Sequence, residues 1–383
     1  MGAVEQVDLA VVGGGPAGAI VAREAAAGGA RVVLFERAPN APLRCAGLIS
    51  TRAAEELGVP RDLILSEIHG VTIHGPGGSE ATLSAPVPKG VVIDRVRFDA
   101  YLRGRAREAG VQVMEGVPVL GWDGDVLHTP AGTFRPGILV GADGAISGVA
   151  RWAGLPGPRE LLVAYQAEVA ARAEGSDRVE IYLGRDHAPG FFAWAIPAGE
   201  TVRAGLATTD AKGGLELLRR FLARRFPHAP IRGVSGGLIP LGPPGRTSRE
   251  RVFLVGDAAA QVKPLTGGGL YYGGVAARLL GRLIAAGNPG EYERTWREEL
   301  GGEIEFGLRA RRAILLLSDG ELDRLVGLLR DPALSAFLAE RGDMDYPSRL
   351  IPELKRSPQL WAIGLKALAA LGGLSRLHEL LSA

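Results

Sequence analysis

Residues 7–12 form an apolar run that stops at the cluster Gly13-Gly14-Gly15-Pro16-Ala17-Gly18, and residues 19–27 continue as a helical stretch of small side chains. Residues 31–35 read as a second strand, which ends at Glu36. A strand, a helix and a second strand inside about 30 residues make a βαβ unit, whose crossover is right-handed. Residues 71–91 hold short alternating runs broken by Gly and Pro, after which 97–109 reads as a helix and 111–115 as a strand. Another apolar strand, 137–140, closes on Gly141-Ala142-Asp143-Gly144. The pattern then changes to longer strands at 162–170, 179–183, 191–196 and 202–207, separated by polar or glycine-containing turns. They predict an antiparallel sheet inserted between parts of the first domain. Residues 252–255 return to a buried, parallel-type strand, followed by Gly256-Asp257 and a helix over 268–286. From 292 onward the pattern is helical, with breaks near Asp319 and Asp331.

The expected fold class is therefore α/β: a Rossmann-like nucleotide-binding domain, an inserted antiparallel-sheet domain of α+β type, and a helical C-terminus. Composition supports a large folded chain, with 383 residues, 46% hydrophobic and 22% charged, and gives no argument for disorder. Forty-four basic against 42 acidic residues leave a net charge of +2 without a basic block, which speaks against a nucleic-acid partner. The single cysteine, Cys45, cannot form an internal disulfide and fits a reducing compartment, so a cytoplasmic location is expected. Glu5 and Asp8 stand where a signal peptide carries cations, and no stretch reaches about 18 consecutive apolar residues. The six histidines show no two-His metal spacing, and no metal site is predicted.

Gly13-x-Gly15-x-x-Gly18 has the spacing that seats a diphosphate on a helix N-terminus. Gly13 allows the tight turn, Gly15 lets backbone N–H groups approach the phosphates, and Gly18 permits close packing of helix on sheet. Pro16 suits the first helical turn, where its missing N–H costs nothing. Glu36, at the end of the next strand, can accept both ribose hydroxyls of an adenosine. A plain glycine turn is the other reading. A second site follows at Gly256-Asp257-Ala258-Ala259 and Pro264-Leu265-Thr266-Gly267-Gly268-Gly269, a carboxylate at a strand end and a new helix N-terminus about ten residues later. A simple NAD enzyme has no use for both, whereas a flavin does. Asp257 can hold a ribitol hydroxyl, and the positive end of the Gly268 helix can stabilise charge at the N1/C2=O side of a reduced isoalloxazine. The cofactor predicted is FAD, with an ordinary strand-to-helix loop as the alternative.

With Asp94-Arg95-x-x-Phe98-Asp99 and Gly141-Ala142-Asp143-Gly144, these motifs resemble the aromatic-hydroxylase-like FAD superfamily. Within it, the chain is most similar to the geranylgeranyl reductase family, from about residue 7 to 287. Arg44-Cys45-Ala46-Gly47 falls where that family has a Cys-Gly loop beside the flavin. Phe192-Ala193-Trp194-Ala195-Ile196-Pro197 resembles its aromatic-x-Trp-x-aromatic-Pro substrate motif, and the 263–269 loop its Pro-x-x-Gly-Gly-Gly flavin loop. Ala46 interrupts the Cys-Gly pair, and Ile196 replaces an aromatic. The resemblance implies cofactor contacts at Gly13, Gly15, Pro16, Ala17, Gly18, Glu36, Arg37, Arg44, Cys45, Ala46, Gly47, Arg95, Asp143, Gly256, Asp257, Pro264, Gly267, Gly268 and Gly269. It implies a FAD-binding domain over 1–60, 91–157 and 246–290, an excursion at 61–90, a substrate domain over 158–245 and a helical region over 291–383.

The activity implied is reduction of isolated C=C bonds in an isoprenoid or other lipid-like chain. Such a bond offers no carbonyl to polarise, so the protein must hold it in a dry pocket and supply a proton. Phe191, Phe192, Trp194 and Pro197 are the expected substrate residues; the alternative places the aromatics on the inner face of a half-buried strand. Cys45 is the candidate catalytic residue, with three open readings: proton donor, flavin-proximal gate, or small buried side chain. Arg95 or Arg97 touches FAD phosphates or lies on a solvent face. No second G-x-G-x-x-G follows a strand, so electrons are expected from a transient reductant, a nicotinamide or a small redox protein. Residues 358–381, rich in Leu and Ala, read either as a helix packed over the substrate or as a peripheral membrane contact. Gly233-Val234-Ser235-Gly236-Gly237 has the letters of a nucleophile elbow, but Leu238-Ile239-Pro240 stands where a helix would start. Two rivals remain: a flavin monooxygenase or halogenase, because Phe192-x-Trp194-x-Ile196-Pro197 partly matches W-x-W-x-I-P, and a quinone-linked electron-transfer flavoprotein partner.

Overall fold

Strands buried on both faces need apolar residues at every position, and the first sheet is built from such strands. In the computed structural model, which describes residues 4–41, 44–171, 175 and 177–356, the chain forms two compact units. The first comprises Met1–Leu43, Arg95–Leu161 and Ile239–Glu305. Its sheet runs Val252–Leu254, Gly132–Gly141, Glu5–Val12, Val32–Glu36, Gln112–Glu115, and each neighbouring pair in that series is parallel. Ser248–Arg249 adds an antiparallel edge, and Gly121–Trp122 with Leu127–Thr129 extends the sheet from Gly132–Gly141. Ala10, Val33, Phe35, Phe134, Leu139 and Leu254 belong to one buried cluster.

Helices Pro16–Ala27 and Leu270–Ala285 pack together in this unit. Small residues make the approach possible: a Cβ at Gly281 would lie 2.5 Å from Glu24 Cβ, and one at Gly28 only 2.4 Å from Ala285 Cβ. A Cβ at Gly256 would lie 2.9 Å from Ala17 Cβ, and one at Gly273 3.1 Å from Gly256 Cα. Early residues thus meet early residues and late meet late, so the helices run parallel and their N-termini lie at the same end.

The second unit comprises Arg44–Asp94, Leu162–Leu238 and the chain from Phe306 onward. Its main sheet has seven strands, in the order Ile231–Leu241, Glu160–Val169, Thr201–Thr208, Ala193–Ala198, Arg178–Tyr182, Gly70–His74, Glu80–Ser84. The expected antiparallel sheet also contains a parallel pair, Arg178–Tyr182 with Gly70–His74, the latter strand contributed by an earlier stretch of chain. Helix Gly214–Arg225 covers one face, packing Leu217, Leu218, Phe221 and Leu222 on Ala167, Ala193, Ala195, Ala204 and Leu206. Leu48–Ser50, Gly90–Ile93 and Ile64–Ile68 form a small antiparallel sheet. The elbow-like Gly233–Gly237 stretch lies inside the strand Ile231–Leu241, with no strand-to-helix turn.

Two boundaries differ from those expected. Residues 44–60 belong to the second unit, since Leu48–Ser50 pairs with Gly90–Ile93 and Ser50 Oγ donates to the fully buried Asp345 at 2.5 Å. Residues 291–305 belong to the first: Tyr292 and Trp296 are fully buried there, Tyr292 donates to Leu254 O and Trp296 Nε1 to Thr247 Oγ1. The helical breaks fall where capping chemistry puts them. Ser318 and Glu321 form a capping box ahead of Asp319–Leu328, and Asp331 caps Pro332–Arg341. Residues 358–381 lie outside the described residues. Among the described residues, no helix is long and apolar enough to cross a membrane.

Candidate functional site

The first glycine turn is shaped by approaches that only glycine permits. Gly13 has φ +106° and donates its N–H to Phe35 O at 2.8 Å, while a Cβ on it would meet Ala142 O at 2.3 Å. A Cβ at Gly18 would lie 1.9 Å from Gly13 O, which fixes the helix start against the turn. Gly15 caps the helix without a side-chain acceptor, Pro16 opens it, and nothing stands within 4 Å of where a Gly15 Cβ would be. The first-turn N–H groups are thus left for an external anion.

Glu36 accepts Gly14 N–H at 2.9 Å on Oε2 and Ala38 N–H at 2.7 Å on Oε1. Each carboxylate oxygen keeps acceptor capacity for a ribose hydroxyl, and the two amides set its orientation. Beneath the turn lies Arg103, 4% exposed, which donates to Glu115 Oε1 at 2.6 Å and Gly14 O at 3.3 Å. Sequence reading missed Arg103; its only local signal is an arginine on the apolar side of a helix. Arg37 is exposed beside Glu36. Asp143 is committed to its own turn, accepting Ser147 Oγ at 2.6 Å and the N–H groups of Gly148 and Val149.

The second cradle starts at Gly256, φ +66°, whose N–H donates to Gln261 Oε1 at 2.8 Å. Gln261, fully buried, donates in turn to Tyr292 OH, which donates to Leu254 O. This buried chain holds the loop, and spacing alone gave no sign of it. Asp257 is open to solvent, with the Arg95 charge near it. Arg95 is held by Asp99 through two hydrogen bonds of 3.0 and 3.1 Å. Lys263 N–H donates to Gly268 O, and Gly267 N–H to Lys263 O, closing a tight loop around buried Pro264. A Cβ at Gly269 would lie 2.7 Å from Asp257 Oδ1, and helix Leu270–Ala285 starts there without a side-chain cap. Two uncapped N-termini at one end, with a carboxylate beside each, fit the donor and acceptor demands of FAD.

In the second unit the Cys45 loop hangs on an arginine. Arg203, 9% exposed, donates from Nη1 to Ala46 O at 2.7 Å and Ile93 O at 3.1 Å. Gly47 has φ +76°, and a Cβ there would lie 2.5 Å from that Nη1 and 2.6 Å from Ile93 O. Cys45 is partly buried and its Sγ accepts Gly47 N–H at 3.4 Å. Arg44 packs near Gly237.

Strand pairing places Trp194 opposite Gly205 and Ile196 opposite Arg203, so these four share one sheet face. Phe191 and Phe192 were expected inside the strand. They precede it, because Gly190 turns the chain at φ +81° and the ladder starts at Ala193. They stack at 4.2 Å, Phe192 meets Trp194 edge-on at 6.1 Å, and Arg311 stands over Phe191 at 5.3 Å. Pro197 is buried on the opposite face from Trp194.

A family profile described as FAD binding domain matches residues 6–213. The chain is 33% identical to the digeranylgeranylglycerophospholipid reductase of Methanothrix thermoacetophila, over 91% of this chain and 97% of that protein. A solved geranylgeranyl bacteriochlorophyll reductase-like protein from Thermoplasma acidophilum is 25% identical with a TM-score of 0.81, covering 92% of this chain and 100% of the other. A flavin-dependent brominase has a TM-score of 0.70 at 17% identity, covering 92% of this chain and 99% of its own, and shares the fold.

Proposed function

The chain belongs to the FAD-binding family that contains the digeranylgeranylglycerophospholipid reductases, and from that premise we propose that it saturates isolated C=C bonds in the isoprenoid chains of a lipid. The full-length likeness to a reductase of that name carries the substrate class. FAD, when bound and reduced, supplies the hydride for one alkene carbon. The protein has to do the rest. The Gly13–Gly18 turn and the Gly267–Gly269 loop bind the cofactor's negative groups through free helix amides, and Glu36 and Asp257 accept its sugar and ribitol hydroxyls. Cys45 Sγ, positioned by Gly47 N–H and by Arg203 behind the loop, is the proton source for the second alkene carbon. Trp194 and Ile196, buried on one sheet face, are the apolar side chains assigned to orient the chain and keep water away. Electrons arrive from a transient partner, a nicotinamide or a small redox protein.

An oxygen-dependent reading rests on Phe192-x-Trp194-x-Ile196-Pro197 and on the fold shared with the brominase. One experiment separates the two. The FAD-loaded protein is reduced chemically without oxygen and given a lipid with unsaturated prenyl chains, and the product is weighed by mass spectrometry. Gain of two hydrogens per double bond is expected. Turnover that requires oxygen and inserts oxygen or halogen overturns the proposal.

A further inference from the structure

Among the described residues Lys263 is the one buried lysine, 8% exposed. Its backbone closes the second cradle, with its N–H donating to Gly268 O at 3.1 Å and its carbonyl accepting Gly267 N–H at 2.9 Å. Its side chain folds back across the same loop: a Cβ on Gly268 would lie 3.0 Å from Lys263 Cε and 3.6 Å from Nζ. The bare Cα of Gly268 leaves the lysine stem its course, whereas Gly267 is required by its φ of +72°. The ammonium therefore stands beside the start of helix Leu270–Ala285, which has no side-chain cap and no acidic residue in its first turn.

A cation is disfavoured at a helix N-terminus, where the macrodipole is already positive, and a buried cation more so. Lysine charge and helix end add to one another instead of cancelling, and a negative charge on a bound ligand offsets both. We propose that Lys263 fixes negative charge on the N1/C2=O edge of the reduced flavin, so that the bound ring is reduced by two electrons with one proton rather than two. The assignment rests on FAD at this cradle and not on the identity of the lipid. It also explains why the protein needs a proton source of its own: loss of hydride from the anion leaves a neutral oxidised ring with no proton to shed, so the proton for the second alkene carbon has to come from elsewhere. Coulomb forces act through several ångströms of low-dielectric protein, so Nζ need not touch the ring.

Sulfite is the probe. Its sulfur lone pair bonds to flavin N5, the displaced electron pair comes to rest at N1/C2=O, and the yellow colour bleaches without any lipid or turnover. In the FAD-loaded protein, Lys263→Met should bind sulfite about tenfold more weakly than wild type. Its reduction potential should fall by about 30 mV, which is a tenfold shift for a two-electron couple. Once reduced, this variant should take up the N1 proton at a higher pH than wild type, read from the spectrum of the reduced flavin. Lys263→Arg should keep sulfite binding within about threefold. A Met variant whose sulfite binding weakens less than threefold overturns the proposal and, being yellow, leaves the FAD assignment standing. A wild-type protein that takes up no FAD overturns that assignment, and the proposal falls with it. If the Met variant holds no flavin, Lys263→Arg decides: flavin retained with sulfite binding near wild type supports the charge, and loss of flavin or a tenfold weakening there overturns it.

Discussion

Replacing Arg203 by Met removes a buried guanidinium while keeping much of its volume. The change leaves Ala46 O and Ile93 O without the donor they share, Nη1 at 2.7 and 3.1 Å. A buried carbonyl deprived of its partner costs about 1–3 kcal/mol, so two cost roughly 2–6. Water entering at the exposed Arg44 side of the loop brings the expectation to about 3 kcal/mol. At about 2–4 °C per kcal/mol for a domain of this size class, the second unit should melt roughly 6–12 °C lower. Flavin content should be unchanged, because the glycine cradles lie in the first unit. Substrate reduction should fall, since the loop carrying Cys45 loses its support. Urea unfolding followed by tryptophan fluorescence, the flavin-to-protein absorbance ratio and anaerobic turnover measure the three quantities. Arg203→Lys should recover part of both losses, because the two bonds come from one nitrogen that an ammonium can imitate. A stability change below about 0.5 kcal/mol together with full turnover would refute the role given to Arg203.

Glu36→Ala should weaken FAD retention on gel filtration, and retention equal to wild type would remove the carboxylate from ribose binding. Cys45→Ser should slow reduction of the lipid while flavin stays bound; full activity would reduce the cysteine to packing. Gly18→Ala forces a methyl group to 1.9 Å from Gly13 O, so the purified variant should be colourless or unfolded, and a yellow, stable variant would contradict the geometry. For Glu180, burial pushes the carboxyl up, but hydrogen bonds from Arg225 and Tyr182 outweigh it and hold it below its usual value. Its contribution to stability is therefore complete above the ordinary Glu range and lost as pH falls through the lowered value. Glu180→Gln should flatten the acid limb of a thermal-melt series, and an unaltered limb would count against the pairing.

What the sequence made legible was local. Gly13, Gly15, Gly18 and Glu36 announce themselves because one turn fixes their spacing, and Asp319 and Asp331 marked helix breaks through capping chemistry that spans three or four residues. The supporting residues were hidden because their partners are remote in the chain. Arg203 reaches Ala46 and Ile93, Arg103 reaches Gly14, and Gln261 reaches Tyr292. No periodicity encodes such pairs. The packing of residues 44–60 with the second unit was hidden for the same reason: the pairing of Leu48–Ser50 with Gly90–Ile93 is visible only once both are folded. Apolar alternation ran through Phe191 and Phe192 into the strand, while the turn at Gly190 that excludes them depends on Thr208 Oγ1 donating to Pro189 O.

The parallel helix pair of the first unit also governs the order in which a nascent chain can mature. Its first member is synthesised at the outset, yet the second, which follows the strand Val252–Leu254, is complete only when residue 285 has been added. Until then the flank of Pro16–Ala27 that meets Leu270–Ala285 and the edge of Gly132–Gly141 that meets Val252–Leu254 have no mate, so the second glycine cradle takes shape only after most of the chain has been made.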